Sequence, residues 1–316
     1  MTDDAKKFIE CLEQAGQLLK DYPIQDLRQD DPDLSYTPPD KFNLALFEKW
    51  TELIEPEFRQ VPPVRIMHHL SCTGGSLLCK CVAGLPNVAL LSEVNPLSQL
   101  HVDSDLRFAP SDLTYLAILG KIPMIDELSE QIFRADIDVI TKHTRQLGKH
   151  LVIREHSHSD FLVGETPVGF STVKKLLQDR YTVLAVLTVR HPLDSYLSLL
   201  NNGWIHYTPN TFDEYCRRYL LFIEHNEAVP VYKYEDFVNQ PVKEMKLICE
   251  ALDLPFSEDF QDVFDLNRMS GDSGRTSSVI EKRDRLALND GLIEELGGSE
   301  SYPLLCTKLG YDLVTG

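Results

Sequence analysis

Three short segments carry residue types suited to gripping an anion and moving a proton. Ser71-Cys72-Thr73-Gly74-Gly75-Ser76 contains two glycines that let the main chain turn tightly. After it, Leu77, Leu78, Cys81, Val82 and Leu85 recur at the spacing of one buried helix face. A helix that opens at Ser76 leaves its first N–H groups without internal partners, and such groups attract anions. Arg190 and Ser198 stand eight positions apart, around a Pro192 suited to the first position of a helix. A guanidinium fork and a hydroxyl together can hold a phosphate. Arg154-Glu155-His156 sets a cation beside an imidazole, the side chain whose pKa suits proton transfer near neutrality. Glu93 is a second candidate base. Among ten histidines, with His68, His69 and His158 nearby in sequence, the place of His156 after an apolar run favours it.

These segments follow runs that read as strands, near 64 to 69, 88 to 91, 150 to 154, 182 to 189 and 229 to 234, with helical patterns between them. The alternation predicts an α/β, three-layer, P-loop-like fold with a central, mostly parallel sheet flanked by helices. Ligands of such sheets bind beyond the carboxyl ends of the strands, where the three segments fall. In the helix after Arg190, Leu193, Tyr196, Leu197 and Leu200 form the expected buried stripe; Asp194, Ser195, Ser198, Asn201 and Asn202 form the polar face. Residues 1–60 read as an N-terminal helical arm, 61–280 as a nucleotide-binding core with a helical insertion over about 110–149, and 281–316 as a C-terminal segment, all in one domain. Beyond Asn267 the pattern is polar and irregular up to a short final helix.

Composition excludes several classes. The 43% apolar content is that of an ordinary globular enzyme. The excess of 49 acidic over 31 basic side chains, a formal charge of -18, repels nucleic acid but leaves room for a small anion held by local cations and amides. The first ten residues lack the apolar run of a secretory signal. The longest apolar stretch, about seven residues ending at Val189, is far short of the roughly 20 that cross a bilayer. Seven cysteines without a CxxC pair suggest free thiols in the cytoplasm and no zinc site.

Thr73-Gly74-Gly75-Ser76-Leu77 resembles the SGTTW part of PKSGTTW, the 5′-phosphosulfate loop of sulfotransferases that use 3′-phosphoadenosine 5′-phosphosulfate (PAPS). Cys72 stands where that family has lysine; Leu77 replaces a tryptophan, as in the tyrosylprotein branch. Arg190, Pro192, Asp194 and Ser198 match the family's 3′-phosphate motif RxPxDxxxS. Tyr234-Glu235-Asp236 resembles its YED segment, which places Tyr234 near the adenine. Ser270, Gly271 and Arg275 lie in a segment similar to its C-terminal loop that closes over the nucleotide. Arg154-Glu155-His156 resembles its KTH strand end, and Glu93 matches the base of the tyrosylprotein branch.

The resemblance covers residues 62 to 280. It implies sulfuryl transfer from PAPS to a hydroxyl or amine of a small acceptor, leaving 3′-phosphoadenosine 5′-phosphate (PAP), with His156 or Glu93 as base and no metal. Cys72 through Leu77 would then bind the donor. A thiol at position 72 gives the leaving phosphate no fixed charge, and Arg154 is the candidate substitute. Two other readings stand beside this one. A P-loop kinase would share the sheet, although GxxxxGK followed by Ser or Thr is absent, since Cys79 lies five after Gly74. A nucleotide-binding protein without turnover is the other.

Overall fold

Strand β1 (Val64–His69) is buried at all six positions, which only a sheet covered on both faces permits. The computed structural model describes residues 61–98, 100, 110–270, 279–282, 285–288 and 290–314, so the expected arm over 1–60 lies outside the described residues. The chain divides into two units, 1–61 and 62–316, and every described helix and strand belongs to the second.

After β1 come α1 (Gly75–Ala83), β2 (Val88–Val94), α2 (Leu113–Leu119), α3 (Ile125–Gln146) and β3 (His150–Glu155). Next are α4 (Ser157–Phe161), β4 (Val163–Gly164), α5 (Thr172–Leu177), β5 (Val183–Val189), α6 (Pro192–Asn202), β6 (His206–Tyr207) and α7 (Phe212–His225). The chain continues through β7 (Val231–Lys233), α8 (Tyr234–Asn239), α9 (Pro241–Leu252), α10 (Phe260–Val263), α11 (Asp290–Gly298) and α12 (Ser301–Leu309). Among the described residues the main sheet has the order β2-β3-β1-β5-β7, parallel throughout, with β4 and β6 paired separately. No helix there is long and apolar enough to cross a membrane.

Alternation along the strands builds three layers. Met67, Val152 and Val186 face α1 and α9 through Leu78, Val82, Met245 and Ile248. Ile66 and Ile153 face the opposite way, against Ile137 of α3 and Leu176 of α5. The expected strands are present, but β2 runs past Leu91 to Val94 with a register shift, and two helices, α11 and α12, follow the irregular region where one was expected. The stripe expected on α6 needs correction. Leu200 is 42% exposed, whereas Ser195 is fully buried. Packing of α7 against α6 is the reason: Tyr215 donates to Ser195 Oγ at 2.7 Å, and that hydroxyl donates to the Pro192 carbonyl at 3.0 Å.

A buried ion holds the short strands. Arg218, with no exposed surface, donates to Glu214 at 2.6 Å and to the carbonyls of Phe161, Val163, Gly164 and Glu165. Buried carbonyls stripped of a donor are costly. Arg218→Met is therefore expected to lose about 3–5 kcal/mol of stability. Urea unfolding checks this, and a loss below about 1 kcal/mol would contradict the clasp.

Candidate active site

Pairing of β1 with β5, in register from Val64 with Val183 to His69 with Thr188, brings the loops after both strands to one edge. Gly74 turns the first loop into α1 with φ 90°, a left-handed conformation that favours glycine. A Cβ there would stand 2.5 Å from the Tyr234 ring, and one at Gly75 would strike the ring of His69. Thr73 lies beneath the loop, fully buried, its hydroxyl donating to the Leu70 carbonyl at 2.7 Å. It shapes the turn from beneath and is not on the cavity lining. Cys72 accepts from Asn202 Nδ2 at 3.6 Å. Burial pushes its thiol up to about 11, so the sulfur stays neutral near pH 7 and is no activated nucleophile.

From β5, Arg190 reaches back to this loop. Its Nη1 donates at 3.3 Å to both the Cys72 carbonyl and Ser198 Oγ, and its guanidinium lies 5.0 Å from the Tyr234 ring centroid. Ser198 donates to the Asp194 carbonyl, one turn earlier on α6. The other motif carboxylates act as braces. Asp194 takes both arms of Arg285, at 2.5 and 3.0 Å; burial would raise its pKa, but Arg285 outweighs that and holds it below the usual range. Glu235 accepts from the His191 N–H and the Tyr311 hydroxyl.

Arg154 enters from β3, 3% exposed, and donates to Ser76 Oγ at 3.1 Å and His69 Nε2 at 2.7 Å. It also donates to Glu93 Oε1 at 2.6 Å, and to Ser92 Oγ and the Ser270 carbonyl at 3.0 Å each. Glu93 sits in the irregular end of β2 with φ 59°. Its second oxygen is 3.5 Å from His156 Nε2. Burial pushes the Glu93 carboxyl up to about 7, against the opposing pull of Arg154. On its other side His156 Nδ1 meets Ser159 Oγ at 3.0 Å.

These groups surround one cavity of about 440 Å³. Cys72, Gly74, Gly75, Ser76 and Leu77 line it from the first loop; Glu93, Arg154 and His156 line one wall; Arg190, Ser198 and Tyr234 line the other. Ser270 does not line it. Its hydroxyl donates to the Ser92 carbonyl at 2.9 Å, and it steadies Arg154 from behind. Gly271 and Arg275 lie outside the described residues. Trp204, whose stretch was expected at the acceptor pocket, is on the lining; sequence reasoning missed His69, His158, His206 and Asn202 there, and Arg285 behind it. His158 Nδ1 shares a hydrogen bond with Ser71 Oγ at 2.8 Å, and burial holds its pKa well below the usual value, as it does for His69. No motif spacing marks these residues; only their strand-end neighbours hinted at them.

The model of the sulfotransferase family matches residues 72–258, from the glycine loop to beyond α9. The chain belongs to the sulfotransferase family. Among solved structures it is similar to the sulfotransferase domain from the curacin biosynthetic pathway, with 14% identity over 81% of this chain and 100% of that one, TM-score 0.49. It is also similar to the sulfotransferase domain of the Synechococcus PCC 7002 olefin synthase, with 17% identity over 80% and 96%, TM-score 0.49. A mouse sulfotransferase complexed with PAP, SULT7A1, matches with 14% identity over 79% and 90%, TM-score 0.40. No curated protein sequence matches.

In this sulfotransferase, Glu93 makes stability depend on pH. Its carboxyl titrates near 7 in the fold against an ordinary 4.5, so between those values the folded chain holds a proton that the unfolded chain releases. Stability is therefore expected to fall as pH rises through that window and to level off above it. In Glu93→Gln this contribution, about 1–3 kcal/mol, disappears. Urea melts from pH 5 to 8 read the difference; equal slopes in both proteins would refute it. Gly75→Ala, driven against the His69 ring, is expected to cost about 1–3 kcal/mol in the same melts.

Proposed function

We propose that the chain transfers a sulfuryl group from PAPS to a hydroxyl or amine of a small acceptor and releases PAP. The observation that carries this reading is the meeting of the glycine loop and Arg190 on one cavity, with Arg190 Nη1 3.3 Å from both the Cys72 carbonyl and Ser198 Oγ. The glycine turn that opens α1 on the cavity lining suits close approach by a phosphate. Cys72, Thr73, Gly74, Gly75, Ser76 and Leu77 form the loop around the 5′ end, with Thr73 acting from beneath. Arg190 and Ser198 hold the 3′-phosphate, Tyr234 borders the adenine, and Ser270, Gly271 and Arg275 form the closing segment.

PAPS, when bound, supplies an activated sulfuryl group and a phosphate leaving group. Protein groups do the rest. Arg154, bonded to Ser76 at the mouth of the loop, offers the positive charge that Cys72 lacks. Glu93 and His156, 3.5 Å apart, form the proton-accepting pair. As the acceptor oxygen or nitrogen bonds to sulfur and the sulfur–oxygen bond to the leaving phosphate breaks, that pair takes the acceptor's proton. A carboxyl with a pKa raised to about 7 suits this task, since about half of it is ionised at neutral pH and the ionised form is a stronger base than an ordinary carboxylate. The cytoplasm is the proposed compartment, in keeping with the free thiols of Cys72, Cys79, Cys216, Cys249 and Cys306.

Calorimetry is expected to find binding of PAP in the absence of metal and no comparable binding of ATP with magnesium; the reverse preference would favour the kinase reading. Arg190→Ala is expected to weaken PAP binding roughly 10- to 100-fold. With labelled PAPS and a panel of alcohols and amines, mass spectrometry should detect sulfated product. PAP binding without any product across the panel would instead favour a binding protein without turnover. Glu93→Gln should lower kcat by roughly 10²–10⁴-fold and abolish the acid limb of its pH profile near 7. Cys72→Ser, which exchanges one neutral group for another, should change kcat by less than about twofold.

A further inference from the structure

A second cavity, of about 330 Å³, adjoins the first. Leu100 lines both, and Ser159, on the wall of the second, is the residue hydrogen-bonded to His156 Nδ1. The second cavity therefore begins one side chain away from the proton-accepting pair. Leu97, Val163, Val168, Phe170 and Leu176 give it an apolar body, and Thr166 stands exposed at its rim. Its charged groups have other partners or offset one another. Lys175 Nζ lies 4.4 Å from the Phe170 ring centroid, and Asp160 accepts from Asn95 and Thr172. Glu130 on the lining balances Lys175. Nothing in that arrangement recommends a second nucleotide or a polyanion, for which a cluster of cations would be needed.

We infer that this cavity holds the apolar chain of the acceptor, which is an alcohol bearing an extended hydrocarbon tail. The inference rests on the sulfuryl-transfer reading for the fate of the hydroxyl, but the tail site makes its own demand on binding. With the hydroxyl beside Glu93 and His156, the tail passes Leu100 and Ser159 and lies against Val163, Val168 and Phe170. Each methylene moved from water into such surroundings strengthens binding by about three- to fourfold. Arg218, bonded to the carbonyls of Val163 and Gly164, keeps β4 in place as one wall.

The test compares 1-butanol, 1-hexanol and 1-octanol on the full chain. Calorimetry reads alcohol binding directly, PAP binding is measured in parallel, and sulfated product is followed with labelled PAPS. The expected result is an affinity that climbs about three- to fourfold per methylene, and a matching fall in KM if turnover occurs. Thr166→Trp, which places a large ring at the rim, should cut the octanol-to-butanol affinity ratio at least tenfold while circular dichroism and melting stay as in the parent. Equal affinity for all three alcohols, no binding of octanol, or an unchanged ratio in Thr166→Trp would overturn the inference, whatever PAP does. Failure of PAP to bind while the chain-length series persists would instead remove the donor assignment and leave the tail site standing.

Discussion

A guanidinium buried to 97% has to find acceptors, because an unpaired charge in that position would cost several kcal/mol. Arg154 finds them in four separate stretches: His69 at the end of β1, Ser76 in the first turn of α1, Ser92 and Glu93 at the end of β2, and Ser270 after α10. One side chain thus fixes the glycine loop, the candidate base and the segment behind them relative to each other. It also sets the chemistry of Glu93. Burial pushes that carboxyl up, the guanidinium 2.6 Å away pulls it down, and burial prevails, leaving it at about 7.

The sheet supplies the second constraint. β1 lies between β3 and β5, so the residues that follow these three strands converge at one edge. That order brings Arg190, 118 residues from Cys72 in sequence, to the Cys72 carbonyl. Behind the contact surface stands a set of braces. Thr73 ties the loop to Leu70, Arg285 ties down Asp194, and Tyr311 and the His191 N–H tie down Glu235. Two carboxylates of the family motifs therefore spend their lone pairs on the scaffold, and the hydroxyl and guanidinium of the same motifs remain at the cavity.

Local pattern carried much of this into the sequence. The apolar runs ending at His69, Glu155 and Val189 could only be buried strands, the two glycines could only be a tight turn, and the eight-residue step from Arg190 to Ser198 spans about two turns of a helix opened by Pro192. Such features depend on neighbours within a few residues. The error on α6 had the same origin: a stripe rule assigns faces by residue type, whereas α7 packs over the face that carries Ser195 and leaves Leu200 toward solvent.

What the sequence determined by itself was the family, the parallel sheet and the placement of the glycine turn, Arg190 and Ser198 after strand ends, since periodicity and short motifs are written in consecutive residues. Tertiary structure alone decided that Glu93 leaves β2 at a positive φ to face both Arg154 and His156, that burial raises the pKa of the Cys72 thiol, and that Ser159 joins His156 to a second cavity. Those properties come from burial and from contacts between residues as far apart as Arg154 and Ser270. No local spacing encodes them, because the field at a side chain is the sum over whatever the fold packs around it.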